Sequence, residues 1–174
     1  ASGKLFAWVI KQPTLKDEDA LECAYNAYKK ASDLNASKSD LSAAFKTVGQ
    51  RFWGAAISAS RLGDNKSASV YFEKSYRATS EPSVGVVDTM ALYNAGVTAS
   101  MSKDNDRAIS LLNKCMELNY DGGGEAYAYI SAAYKQKRDT SKSKDILSLG
   151  FAKHPTNQSI LIELINTYLS TKDN

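Results

Sequence analysis

Two cysteines, one histidine and three prolines in 174 residues remove several classes of protein at once. Cys23 and Cys115 lie too far apart to form the short paired spacings of a zinc ligand set. Both sit among Ala, Leu and Met in helical patterns, and the expectation for each is a buried, small, apolar residue. A disulfide between them requires their helices to touch. His154 precedes Pro155 and reads as a helix-end or turn residue. The chain has no phosphate loop and no nucleophile elbow, so no catalytic residue, metal or cofactor is expected. The longest apolar run, Leu5 to Ile10, is far too short to cross a bilayer, and no membrane insertion is expected. The formal net charge of +3 is too small and too dispersed to argue for nucleic acid. The basic stretch Lys135, Lys137, Arg138, Lys142 and Lys144 reads as a solvated turn. No signal peptide is visible, which leaves localisation open.

What the chain does have is helical periodicity. Asp17 to Asp33 repeats Ala20, Leu21, Ala24, Ala27, Tyr28 and Ala31, with acid at its start and Lys29 and Lys30 near its end, as the helix dipole favours. A stub at Leu5–Lys11 precedes it. Further helices are expected over Ser39–Leu62, Asn65–Ala78, Val84–Ser102, Asn105–Leu118, Glu125–Lys137, Asp139–Lys153 and Asn157–Ser170. Asp64 and Asp104 are natural N-caps, and Gly122-Gly123-Gly124 is a turn that exploits positive φ. No stretch alternates as a half-buried strand would.

Three helix pairs share one grammar. Each has an Asp at the elbow (Asp64, Asp104, Asp139), a small residue four positions on (Ala68, Ala108, Ser143), and an apolar one four further (Phe72, Leu112, Leu147). The first helices read Phe52-x2-Ala55-Ala56-x2-Ala59, Leu92-x2-Ala95-Gly96-x2-Ala99 and Tyr127-x2-Ile130-Ser131-x2-Tyr134. A last one reads Leu161-x2-Leu164-Ile165-x2-Tyr168, and Ala24-x3-Tyr28 fits a second helix. Small residues let paired helices approach; larger ones fill the space between pairs.

This pattern resembles the tetratricopeptide repeat (TPR), a unit of about 34 residues with W-x2-L-G-x2-Y, then A-x3-F, then P. The final proline survives only as Pro155. The resemblance implies an all-α fold, a right-handed superhelix of antiparallel helix pairs. Its divisions would be a partial repeat over 1–36, repeats over 37–82, 83–121 and 122–156, and a terminal helix over 157–170. Spacings of 44, 40 and 35 between Ala24, Ala68, Ala108 and Ser143 exceed the standard unit. The excess implies longer first helices or longer loops at 35–40, 80–87 and 120–124. In texture the chain is similar to TPR proteins common in Bacteroidetes, many of them exported. That likeness implies a bacterial periplasmic or envelope location, with the cytoplasm as the alternative.

First helices of a TPR stack line its concave face. The register places Gln50, Trp53 and Ile57, then Met90, Tyr93, Asn94 and Val97, then Glu125, Tyr129 and Ala132 on that face. Trp53 and Tyr93 have two competing roles, ligand contact and inter-repeat core. Asn94 matches the asparagine of the carboxylate clamp of chaperone-binding TPR domains, but Glu125 and Tyr129 stand where that clamp has basic groups. The resemblance therefore implies a non-enzymatic module binding a different peptide or protein segment, as adaptor or scaffold. The alternative is a spacer or self-association domain of a longer envelope protein. In that reading Leu161, Leu164, Ile165 and Leu169 on the terminal helix would form a homodimer seam.

Overall fold

The computed structural model describes residues 17–170, and these hold eight helices and no strand. They are α1 (Asp17–Asp33), α2 (Lys38–Arg61), α3 (Asn65–Thr79), α4 (Thr89–Met101), α5 (Asn105–Glu117), α6 (Glu125–Gln136), α7 (Thr140–Lys153) and α8 (Gln158–Leu169). The expected stub at Leu5–Lys11 lies outside the described residues. Each helix packs on the next in sequence; in addition α4 touches α6, and α6 touches α8. No helix among the described residues is long and apolar enough to cross a membrane.

The elbows between α2 and α3, α4 and α5, and α6 and α7 are built alike. The residue before the elbow Asp has positive φ in all three: Gly63 (78°), Lys103 (63°) and Arg138 (62°). That kink lets the amide of the Asp reach back to the carbonyl five residues earlier: Asp64 to Ala59 at 2.9 Å, Asp104 to Ala99 at 3.0 Å, and Asp139 to Tyr134 at 2.9 Å. The same Asp then turns its carboxylate forward and caps the next helix, accepting from Ser67, Arg107 and Lys142 at 3.0, 3.4 and 3.1 Å. One residue thus closes one helix and opens the next. Arg107, just past the second elbow, donates to Ser69 in the second turn of α3 and pairs with Glu73 in the middle of that helix. Lys137, at the third, pairs with Asp106 at the second. All three elbows therefore lie along one edge.

Behind the elbows the small residues meet. Ala56, Ala68, Ala108, Ser131 and Ser143 are fully buried. A Cβ on Gly96 would lie 2.6 Å from Cγ of Leu112, so α4 and α5 approach more closely than any side chain there allows. In the α6–α7 pair the two small residues are serines, and their hydroxyls satisfy each other at 2.8 Å. Between pairs lie the large residues Phe52, Leu92, Leu112, Tyr127 and Leu147, with 3% exposure or less.

The extra length is spent in two ways. In the first pair it lengthens α2; before α4 and α6 it forms loops. The expected helix start at Val84 is incorrect, because α4 begins only at Thr89. Val84 and Gly85 both donate their amides to the Glu81 carbonyl, Gly85 has φ of 71°, and Asp88 caps the helix by accepting from Ala91 at 3.0 Å. The buried Glu81 carboxylate takes the Tyr25 hydroxyl and, at 3.1 Å, the Lys29 ammonium, both from α1. The loop is thus tied to a helix more than fifty residues earlier. The glycines at 122, 123 and 124 all have positive φ, as expected.

Cys23 departs from expectation too. It is exposed, because α1 buries the flank bearing Ala20, Ala24, Tyr25 and Tyr28 and leaves Cys23 outside it. Cys115 is buried, and both thiols are free.

Candidate functional site

The first helices α4, α6 and α8 touch their neighbours in that row, but α2 makes no comparable contact with α4. Between them lies a cleft of about 270 Å³. Gly49, Gln50 and Trp53 of α2 form one wall, Asp88 and Met90 at the start of α4 the other, and Ser75 and Thr79 of α3 the floor. Trp53 is half-buried; its ring meets Phe72 edge-on at 5.0 Å and 74°. Met90 remains 48% exposed, an adaptable thioether facing solvent.

Most polar groups of the cleft are already engaged. Ser75 donates its hydroxyl to the Gly49 carbonyl at 2.9 Å, and Thr79 donates to Ser75 at 3.0 Å. Asp88 is occupied in part by its cap. Gln50 is exposed, and its amide has no hydrogen bond among the described residues. The cleft is therefore a largely apolar slot with the Gln50 amide and the Asp88 carboxylate among its lining groups.

Tyr93, the next expected groove residue, does not line this cleft. Its ring packs edge-on against Tyr120 at 5.5 Å and lies so close under Gly122 that a Cβ there would come within 2.6 Å of it. Tyr120 in turn donates its hydroxyl to the sulfur of Met90 at 3.6 Å. Burial pushes the Tyr93 phenol well above its ordinary range, with Tyr129 and Glu125 nearby adding to the rise. Asn94 is half-exposed, and its amide, like that of Gln50, has no hydrogen bond among the described residues. Ile57 packs in part against the cluster around Phe72 and Leu92, while Val97 and Tyr129 pack against Leu112, Ala126 and Ile130. Glu125 accepts from the Asn157 amide at 3.0 Å, and Ala132 is half-exposed.

The structure thus joins Gln50, Trp53 and Met90 in one cleft, with Asn94 further along α4. Sequence reading missed the floor: Ser75 and Thr79 sit on a second-type helix, and Asp88 fell inside the over-extended helix. The Asp three residues before Ala91 was the available signal.

On α8, Leu164 packs inward against Tyr127, Leu147 and Ile160, and Leu161 is half-buried. The exposed apolar row is Ile162, Ile165, Tyr168 and Leu169, at 57–60% exposure. Of the basic stretch, Lys135 pairs with Glu163, Lys137 with Asp106 and Lys142 with Asp139, while Lys144 lies over the Tyr168 ring. His154, at the C-terminal end of α7, meets Asp121 at 2.7 Å. Among the described residues no group of three His, Cys, Asp or Glu is placed to hold a metal ion. No protein-family model matches the chain, and no curated protein matches it either.

Proposed function

We propose that the chain is a TPR-type superhelical stack that binds an extended segment of another protein in the groove of its first helices, as a non-enzymatic adaptor or assembly scaffold. The observation that carries this reading is the α2–α4 cleft, with Trp53 and Met90 as apolar walls, the exposed amide of Gln50 at its rim and Asn94 further along α4. A carboxamide offers a donor and an acceptor together, which is what one peptide group of an extended strand lacks partners for. A carboxylate clamp is disfavoured, since Glu125, which accepts from Asn157, is acidic where that clamp has a basic group.

The test is selection of a displayed random-peptide library on the wild-type chain, followed by binding measurements on Trp53→Ala, Gln50→Ala and Asn94→Arg. Circular dichroism checks that each variant folds. Peptides that lose affinity for all three variants support the groove. Peptides that bind the variants as well as wild type exclude it.

A second reading, self-association or spacing within a longer envelope protein, is favoured by the exposed row Ile162, Ile165 and Leu169 on α8. Mass measured across a concentration series separates it from the first: Ile165→Asp and Leu169→Asp would abolish a dimer and leave peptide binding intact.

A further inference from the structure

The open face of α2 has a pattern of its own. Lys46, Gln50, Trp53, Ile57 and Arg61 follow at helical spacing and fall within one stripe, apolar in the middle and basic at both ends. Lys46 and Arg61 are exposed, and neither has an ion-pair partner among the described residues. The two ends differ in surroundings. At the Lys46 end the Asp88 carboxylate lines the cleft, and its charge opposes that of the lysine. At the Arg61 end no such carboxylate intervenes on α4, which carries no charged residue along its length. There α4 ends at Met101, and Lys103, two residues beyond it, is also exposed and also without an ion-pair partner among the described residues. Arg61 and Lys103 stand on the shared elbow edge.

The cleft also limits the shape of what enters. About 270 Å³ admits a single large side chain, not the face of a helix. A helix satisfies its own backbone, so the amides of Gln50 and Asn94 would gain nothing from one. An extended segment leaves N–H and C=O groups free for them. Trp53 and Arg61 are eight residues apart on α2, about 12 Å along its axis. An extended chain covers that in about four residues.

We infer that the groove's ligand is an extended segment with one large apolar side chain seated between Trp53 and Met90 and an acidic residue about four positions away, paired with Arg61. The inference rests on the groove reading above and specifies its ligand by charge and spacing. Exposed pairs of this kind are worth little individually, so the expected preference is modest. Exchanging the ligand's acid for a lysine turns attraction into repulsion and is expected to weaken binding about fivefold.

The experiment uses the full chain with Trp8→Phe, leaving Trp53 as the only tryptophan reporter. The probes are blocked peptides in a Ser/Thr background with Leu and Glu four residues apart, in both chain orders, and the same peptides with Lys for Glu or Ala for Leu. The expected result is a saturable shift in Trp53 emission for at least one order of the Leu/Glu peptide. Binding should weaken about fivefold with Lys, lose that preference in Arg61→Gln, reverse it in Arg61→Glu, and become less selective as salt is raised. Equal binding of the Glu and Lys peptides overturns the charge inference and leaves the groove intact. Failure of every probe to move Trp53 also overturns it, and the displayed library then decides separately whether the groove binds any peptide.

Discussion

Gly96 and Gly54 both lie inside first helices, yet the structure assigns opposite signs to the same substitution. Gly54 faces open space: a Cβ there meets nothing within 4 Å. Gly54→Ala gains the helix propensity that glycine forfeits, about 1 kcal/mol. Gly96→Ala gains the same amount and then collides with its partner helix. Its methyl would lie 2.6 Å from Cγ and 2.8 Å from Cδ2 of Leu112, and 3.3 Å from the Leu112 backbone nitrogen. Cγ is the branch point of the side chain, and Leu112 is fully buried, so a rotation cannot clear the way. Overpacking of this kind costs about 1–3 kcal/mol, and the rigidity of the obstacle puts Gly96 near the top of that range. The net expectation is a loss of about 1–2 kcal/mol, separating the two variants by roughly 2–3 kcal/mol. At this chain length each kcal/mol moves the melting temperature by about 2–4 °C. Urea and thermal unfolding followed by circular dichroism at 222 nm measure both. A Gly96→Ala protein as stable as Gly54→Ala, with an unchanged denaturant slope, would refute the close approach of α4 and α5.

Asn157 caps α8 by accepting from Ile160 at 2.9 Å and donates to the Gly123 carbonyl and the Glu125 carboxylate, each at 3.0 Å. Asn157→Ala is expected to cost about 2 kcal/mol in urea unfolding. Asn157→Asp should do no better, since it keeps the cap but sets a carboxylate against Glu125. Burial, with a smaller contribution from Asp121, pushes the Cys115 thiol up to about 11, whereas Cys23 is exposed. A thiol-reactive dye at pH 8 should therefore count one cysteine in the native protein and two in denaturant; two fast thiols would contradict the packing of α5. Burial pushes the Asp121 carboxyl upward, but the hydrogen bond and charge of His154 and the amides of Gly124 and Gly123 outweigh it and hold the group below 3.8. A depressed carboxylate adds stability above its unfolded value, and that stability is lost as pH falls through the folded one. The melting temperature should drop below about pH 3.8, and Asp121→Asn should flatten part of that drop.

The residues before and after each elbow show how much was local. An Asp followed four and eight residues later by a small and then an apolar residue marks a helix start, a close contact and a core contact. The cap uses only backbone within three residues, so Asp64, Asp104 and Asp139 could be read one at a time. Helical periodicity placed the helices for the same reason: each needs an apolar stripe of the right period before it meets any neighbour. The Asp88 cap was a local signal that went unread, and the rest of the failures were not local. Val84 to Asp88 carries no helix breaker stronger than Gly85; it is unwound where Glu81 is held by Tyr25 and Lys29 from α1. Cys23 looked like a core residue because its neighbours are apolar, and only the packing of α1 showed which flank turns inward.

The order, the elbows and the small-residue contacts of this protein were set down by its sequence, because caps and periodicity act within a few residues. Which face of each helix stayed open was decided by tertiary structure. Trp53 and Tyr93 occupy similar places on successive first helices, yet one borders a cleft and the other is roofed by Tyr120 and Gly122. The difference lies in how closely adjacent first helices stand: α4 touches α6, whereas α2 makes no comparable contact with α4.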